Sequence, residues 1–215
     1  MPESFEVALF PIPNLVAFPG TVVPLHVFEP RYRQLVHDSV RDNRLVAVSH
    51  VLKTVSQPKQ EQDLETALRS NQATYKPCQI FSAGAVEIMQ TTDDGRLLAQ
   101  ITMTHRLTLA EDLQTLPYRI VRCTEVTDVD ETELESANRM LQSRIVNHLV
   151  SLCQQDHPEV ADALNGPEWS GLSPDTFSFK VFQMLRLDPD EMQILLELDS
   201  VNERLARLDQ ALLRA

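Results

Sequence analysis

The feature that most constrains this chain is a change of hydrophobic period near residue 129. From residue 5 to about 127, apolar residues recur at every second position in short runs, the mark of half-buried strands. Phe5, Val7 and Leu9 form one such run, and Phe18-Pro19-Gly20 is a turn signal before the β-branched stretch Thr21–Leu25. Arg44–His50, Gln79–Gln90, Leu97–Met103, Arg106–Ala110 and Tyr118–Val126 read as further strands. Asp93-Asp94-Gly95 predicts a hairpin turn into Leu97, because Asp-Gly accommodates positive φ. One helix interrupts the strands: Pro30 suits a first helical turn, and Tyr32, Leu35, Val36, Ser39 and Val40 then share one face.

After residue 129 the period is helical. Asp130-x-x-Glu133 opens a helix carrying Leu134, Ala137, Met140, Leu141, Ile145, Leu149 and Leu152. Ser173-Pro174 and Asp188-Pro189 each pair a capping residue with proline at the first helical position, and Ser200-x-x-Glu203 has capping-box spacing. Ile194, Leu198, Val201, Leu205, Leu208 and Leu212 also carry the alternating four-and-three spacing of a coiled-coil seam. The run is short and Ser200 is a specific stop-and-start signal, so two helices with a break are expected. Residues 53–77 read as a long polar connection with a short helix over Asp63–Arg69, and Gln154–Gly171 as an irregular link. The expected fold is α+β: a β-rich half, 1–129, and an α-helical half, 130–215, forming one domain together.

Charge excludes some partners. Residues 1–129 hold 15 acidic and 12 basic side chains, a balance of −3, whereas 130–215 hold 16 and 7, a balance of −9. Such a surface repels phosphate backbones and anionic lipid. Cys78, Cys123 and Cys153 form no C-x-x-C pair, so no zinc ribbon or redox motif is expected. The acidic start Met-Pro-Glu-Ser-Phe-Glu is unlike a signal peptide, and no apolar run is long enough to span a membrane. A cytoplasmic protein without a cofactor is the expectation.

The motifs for catalysis fail on inspection. Gly166 and Gly171 have phosphate-loop spacing, but Leu172 stands where the lysine is needed and Pro167 removes a backbone donor. Ser56-Gln-Pro-Lys59 matches S-x-x-K, yet Pro58 opposes the helical turn that would bring lysine to serine. His26, His37, His50, His105, His148 and His157 show no metal-ligand spacing, and no G-x-S-x-G elbow occurs.

The run Leu9-Phe10-Pro11-Ile12-Pro13 followed by Leu15 to Tyr32 (LVAFPGTVVPLHVFEPRY) resembles the opening of the Lon protease N-terminal domain. Ala83-Gly84-Ala85-Val86 with Asp93–Arg96, and the stretch from Gln193 through Leu205, resemble later parts of the same domain, so the resemblance spans nearly the whole chain. It implies a PUA-like β-barrel or curled sheet followed by a helical bundle. It also implies protein-substrate recognition, the ATPase and Ser–Lys peptidase modules lying downstream in full Lon proteases. With the chain closing at Ala215, a stand-alone, non-catalytic protein- or peptide-binding module is expected, as a monomer or weak homodimer. The 53–77 connection is longer than in many Lon proteases, and Leu107 replaces a commoner aromatic residue.

Within the resemblance, Phe18, Pro19, Gly20, Pro24 and Leu25 are expected to shape the barrel. Phe28, Glu29, Arg31 and Tyr32 are the candidate peptide-binding residues, at the rim of a groove where an apolar anchor is held or a strand added to an open edge. Two other functions compete: a peptidase-associated factor or unrecognised hydrolase, and an RNA binder using Arg31, Arg33, Arg41 and Arg44 in the PUA-like half.

Overall fold

A computed structural model of the protein describes residues 4–56 and 74–214; the expected helix over Asp63–Arg69 lies outside them. The contacts divide the chain into two units, one holding residues up to Val126 with Arg186–Leu196, the other Thr127–Leu185 with Glu197 onward. The mixture of sheet and helices is α+β.

In the first unit, strand β1 (Ser4–Pro11) runs parallel to β3 (Val46–Ser49) and antiparallel to β8 (Arg119–Glu125). Strand β3 pairs with β6 (Ile80–Thr91), β6 with β7 (Leu97–Gln114), and β7 returns to β8, so five strands close on themselves. Strand β2 (Val22–Val27) is added to the first half of β7 and forms an edge of the sheet. Pro24 suits that position, because an edge strand tolerates a missing donor. The polar 53–77 connection differs from expectation at both ends, where β4 (Val51–Ser56) and β5 (Thr74–Pro77) pair as a separate two-stranded sheet.

The two strands expected at Leu97–Met103 and Arg106–Ala110 are one strand with a bulge. Gly84 pairs with Met103 and Ala83 with His105, leaving Thr104 as the extra residue. A one-residue slip exchanges the faces of a strand. Leu97, Ala99, Ile101 and Met103 therefore enter one core, while Leu107 and Leu109 enter another. The buried residues of the second core, which include Val7, Leu9, Ala47, Phe81, Ala83, Val121 and Cys123, lie on the five closed strands, and Leu45 just before β3 packs against them. Gly84 is required here: a Cβ would lie 1.8 Å from the Thr102 carbonyl oxygen.

The first core is covered by helix α1 (Pro30–Asp42), which buries Tyr32, Leu35, Val36 and Ser39 as the spacing predicts and leaves Val40 exposed. Asn43 ends the helix in the left-handed conformation, its amide donating to the Ser39 carbonyl. The helix that starts at Asp188-Pro189 is grouped by period with the C-terminal helices, but its contacts are with the sheet. Gln193 donates to the Ile80 carbonyl at 2.9 Å, and buried Arg106 donates to the Leu196 carbonyl at 3.2 Å.

The second unit holds α2 (Glu135–Cys153), entered through a 3-10 turn at Thr132–Leu134, then α3 (Pro158–Asn165), α4 (Pro167–Ser170) and α5 (Pro174–Lys180). Helix α6 (Pro189–Glu197) intervenes in sequence before α7 (Val201–Leu212). The irregular link expected over Gln154–Gly171 is thus mostly two short proline-started helices, too brief to show a period. Helix α2 is also rotated from its apolar stripe: Asn138, Gln142, Ile145 and Leu149 are buried, while Met140 and Leu152 are exposed. The polar pair is accommodated because Asn138 accepts from Asn202 at 2.8 Å and Gln142 donates to the Leu172 carbonyl at 3.2 Å. The expected break at Ser200 is present, its hydroxyl accepting from the Glu203 amide at 3.0 Å.

Candidate functional site

The end of β1, the end of β2 and the start of α1 meet around an apolar cleft of about 190 Å³, lined by Phe10, Pro11, Ile12, Pro13, Val27, Phe28, Glu29 and Tyr32. The sequence explains the convergence. The prolines at 11 and 13 end β1, and an Ile12-to-Leu15 turn with Asn14 at φ 60° carries the chain away. Pro30 starts α1 immediately after β2, so Phe28 and Glu29 are fixed at a strand-to-helix corner. Glu29 accepts the Tyr32 and Arg33 amides on its backbone carbonyl, both at 3.0 Å. Its side chain makes no cap hydrogen bond.

Tyr32 stacks on Phe10 with ring centroids 4.1 Å apart and an angle of 17°. Phe28 is 61% exposed, unusual for a phenylalanine at a fixed backbone position, and meets His26 edge to face at 6.3 Å. Typical small-molecule pockets have about 300–1,000 Å³, so this cleft has room for a side chain rather than a cofactor. Glu29 is the one charged residue in its lining.

Three of the four residues singled out in the sequence therefore sit together. Arg31, expected at the rim with them, is 4% exposed and is absent from the lining. Its guanidinium pairs with the Glu29 carboxylate at 3.0 Å and lies 4.5 Å from the Tyr32 ring centroid. It neutralises Glu29 from behind and stiffens the corner. Phe10, Ile12 and Pro13 were legible only as motif residues; what marks them as lining is the proline-flanked end of a strand.

Phe18 is buried, and Gly20 has φ 79° with its amide on the Met103 carbonyl at 2.8 Å. Thr21 closes the turn by donating its hydroxyl to the Phe18 carbonyl at 2.7 Å. Pro19 lies in that turn, Pro24 faces solvent on the edge strand, and Leu25 packs in the first core. The Phe18-Pro19-Gly20 turn thus ties the start of β2 to β7, with Phe18 buried, Pro19 half-buried and Gly20 exposed.

The features behind the competing functions are dispersed or occupied. Arg33 donates to the Gly95 carbonyl at 2.7 Å, Arg41 pairs with Asp38 and Asp42 at 2.8 Å each, and Arg44 lies 4.0 Å from Asp42. With Arg31 on Glu29, the basic cluster that suggested RNA is interleaved with carboxylates. Among the described residues, no group of three His, Cys, Asp or Glu is placed to hold a metal. Burial pushes the Cys123 thiol up to about 12, the reverse of an activated nucleophile. Gly166 and Gly171 flank α4, which is preceded by a helix and not by the strand that a phosphate loop follows. No helix among the described residues is long and apolar enough to cross a membrane.

Comparison with known proteins places this geometry. Lon protease 1 of Herpetosiphon aurantiacus is 23% identical over 97% of the chain, and Lon protease of Azospirillum brasilense 26% identical over 96%. The chain spans only 24% of the length of either. Among solved structures, the N-terminal domain of a Mycobacterium avium complex Lon protease superposes with a TM-score of 0.67 at 16% identity, covering 96% of this chain and 97% of that one. A Lon N-terminal domain protein from Xanthomonas campestris gives 0.56 at 20% identity, with 94% and 96% covered. The fold is that of these N-terminal domains. The ATP-dependent protease La (LON) substrate-binding domain family matches residues 6–214, and the chain belongs to that family.

Proposed function

We propose that this chain is a recognition module for protein substrates, without turnover of its own, and that it holds an apolar side chain of an extended segment in the Phe10–Phe28–Tyr32 cleft. The observation that carries this is the exposed Phe28 beside an apolar cleft of side-chain size. Burying one large apolar side chain contributes about 1.5–3 kcal/mol, so a single anchor gives weak, reversible capture suited to scanning many segments. Among the described residues the outer edge of β2 is unpaired and leads into the same cleft through Val27, so a segment pairing there would deliver its side chains to the anchor site. Pro24 withholds a donor, which restricts such pairing to the Leu25–Val27 end.

The test is fluorescence anisotropy with a labelled peptide of glycine and serine bearing one central leucine or phenylalanine. Phe28→Ala should weaken binding about tenfold, the loss of a contact worth ~1.4 kcal/mol, with little change in melting temperature. Met89→Ala, at an equally exposed apolar residue elsewhere on the sheet (61%), should leave affinity unchanged. Saturable binding that Phe28→Ala leaves intact would overturn the assignment of the cleft.

A further inference from the structure

We infer that His50 is the positioning residue of the cleft and makes capture sensitive to pH; this rests on the reading of the cleft as the binding site. His50 follows β3 and is 6% exposed. Its Nδ1 accepts the backbone amide of Asn14 at 3.1 Å. That bond fixes the tautomer: Nδ1 carries a lone pair, so the proton is on Nε2, which faces the Asp190 Oδ1 at 3.4 Å.

Asn14 is the left-handed residue of the turn whose Ile12 and Pro13 form one wall of the cleft. The turn is also tied by the Ile12 amide on the Ser49 carbonyl at 2.9 Å and the Leu15 amide on the Ile12 carbonyl at 3.4 Å. A neutral imidazole thus pins the wall through a side chain whose hydrogen-bonding sense reverses on protonation. In the imidazolium, Nδ1–H opposes the Asn14 N–H. Both are donors, the bond is lost, and the turn must move.

The groups facing His50 set the balance. The Ile12–Leu15 turn contains no titratable side chain. On the α6 side stands Asp190, 90% exposed, with Asp188 behind it accepting the Asp190 amide at 3.0 Å. On the strand side is Cys78, whose amide donates to the His50 carbonyl at 2.9 Å and whose side chain is buried. Asp190 favours the charged ring, while the Asn14 amide opposes it. Acidification that charges His50 therefore trades the Asn14 bond for a stronger pair with Asp190, loosening the wall. Capture should be tighter with His50 neutral and weaken as it is protonated.

The experiment uses the full chain, with two readouts from pH 5 to 8. Amide and imidazole NMR follow Asn14, Leu15 and His50 without ligand, and the single-leucine peptide reports affinity. The Asn14 amide should shift with the same midpoint as the His50 ring. Peptide affinity should fall about threefold to tenfold across it, as expected for a hydrogen bond of ~0.5–1.5 kcal/mol.

His50→Asn keeps an acceptor at the δ position and does not titrate. It should bind like the native chain at pH 8 and lose the pH dependence. Asp190→Asn removes the carboxylate that favours the charged ring and should move the midpoint to lower pH. An Asn14 amide indifferent to His50 titration, or a His50→Asn variant with the native pH profile, overturns the inference. If no peptide binds at any pH while the Asn14 amide tracks His50, the reading of the cleft fails and the positioning role of His50 stands. Should His50→Asn fail to fold, the native chain and Asp190→Asn still decide the matter through the NMR midpoints.

Discussion

Replacing Arg204 with methionine should cost the helical unit a large part of its stability. Arg204 lies on α7 and is completely buried. Its two terminal nitrogens reach the Asp128 carboxylate at 3.0 and 2.6 Å, one of them also donates to the Leu198 carbonyl at 2.8 Å, and Nε donates to the Ser178 hydroxyl at 2.8 Å. The guanidinium plane lies 3.8 Å from the Phe179 ring centroid. Removing one partner of a buried, hydrogen-bonded pair costs about 3–5 kcal/mol, because the remaining charge keeps its desolvation without its compensation. Domains are stable by only ~5–15 kcal/mol. Arg204→Met should therefore consume about a fifth of the total or more.

Urea unfolding followed by the fluorescence of Trp169, the sole tryptophan and a residue of this unit, reads the loss directly. Arg139→Ala is the control: its pair with Glu135 at 2.8 Å has both partners more than half exposed, and such pairs contribute only about 0.3–0.5 kcal/mol. The double variant Arg204→Met with Asp128→Leu should recover most of the loss, since an apolar pair carries no stranded charge. A loss below ~1 kcal/mol for Arg204→Met, or strictly additive single variants, would refute the argument that a stranded carboxylate dominates.

Three further outcomes follow from local geometry. Gly84→Ala should destabilise the β-rich unit by about 3 kcal/mol or more, since the new methyl meets backbone that cannot retreat; circular dichroism melts check this. Cys153, the half-exposed thiol, should label with iodoacetamide at pH 8 first, while buried Cys78 and Cys123 label only as the chain unfolds; mass spectrometry of partly labelled protein gives the order. Burial, and then donation to Asp38 at 2.8 Å, push the Tyr118 phenol up to about 12 from 10.0. A raised folded-state pKa contributes stability that is full below pH 10.0 and disappears toward about 12. Melting temperature should fall across that window, and Tyr118→Phe should flatten the fall; an unchanged slope would refute the assignment.

The sequence by itself determined the elements whose cause is local. The strand runs, Pro30 as the start of α1, the Asp-Gly hairpin and the Ser200 break are each set by φ preferences, capping groups or short-range period, and all are present. The motif from Leu9 to Tyr32 also carried the resemblance to the family, and its prolines and Gly20 fix corners of this fold.

Tertiary structure decided what depends on partners distant in sequence. The closure of β7 on β8, and the bulge at Thr104 that sends Leu107 into a different core from Met103, arise from pairing across the sheet. Helix α2 buries Asn138 and Gln142 in place of Met140 because acceptors and donors from Asn202 and Leu172 meet them, which no period reveals. The same holds at the cleft. Phe28, Glu29 and Tyr32 were visible as candidates, but the burial of Arg31 behind Glu29, and the hold of His50 on Asn14 across 36 residues, exist only once the chain has folded.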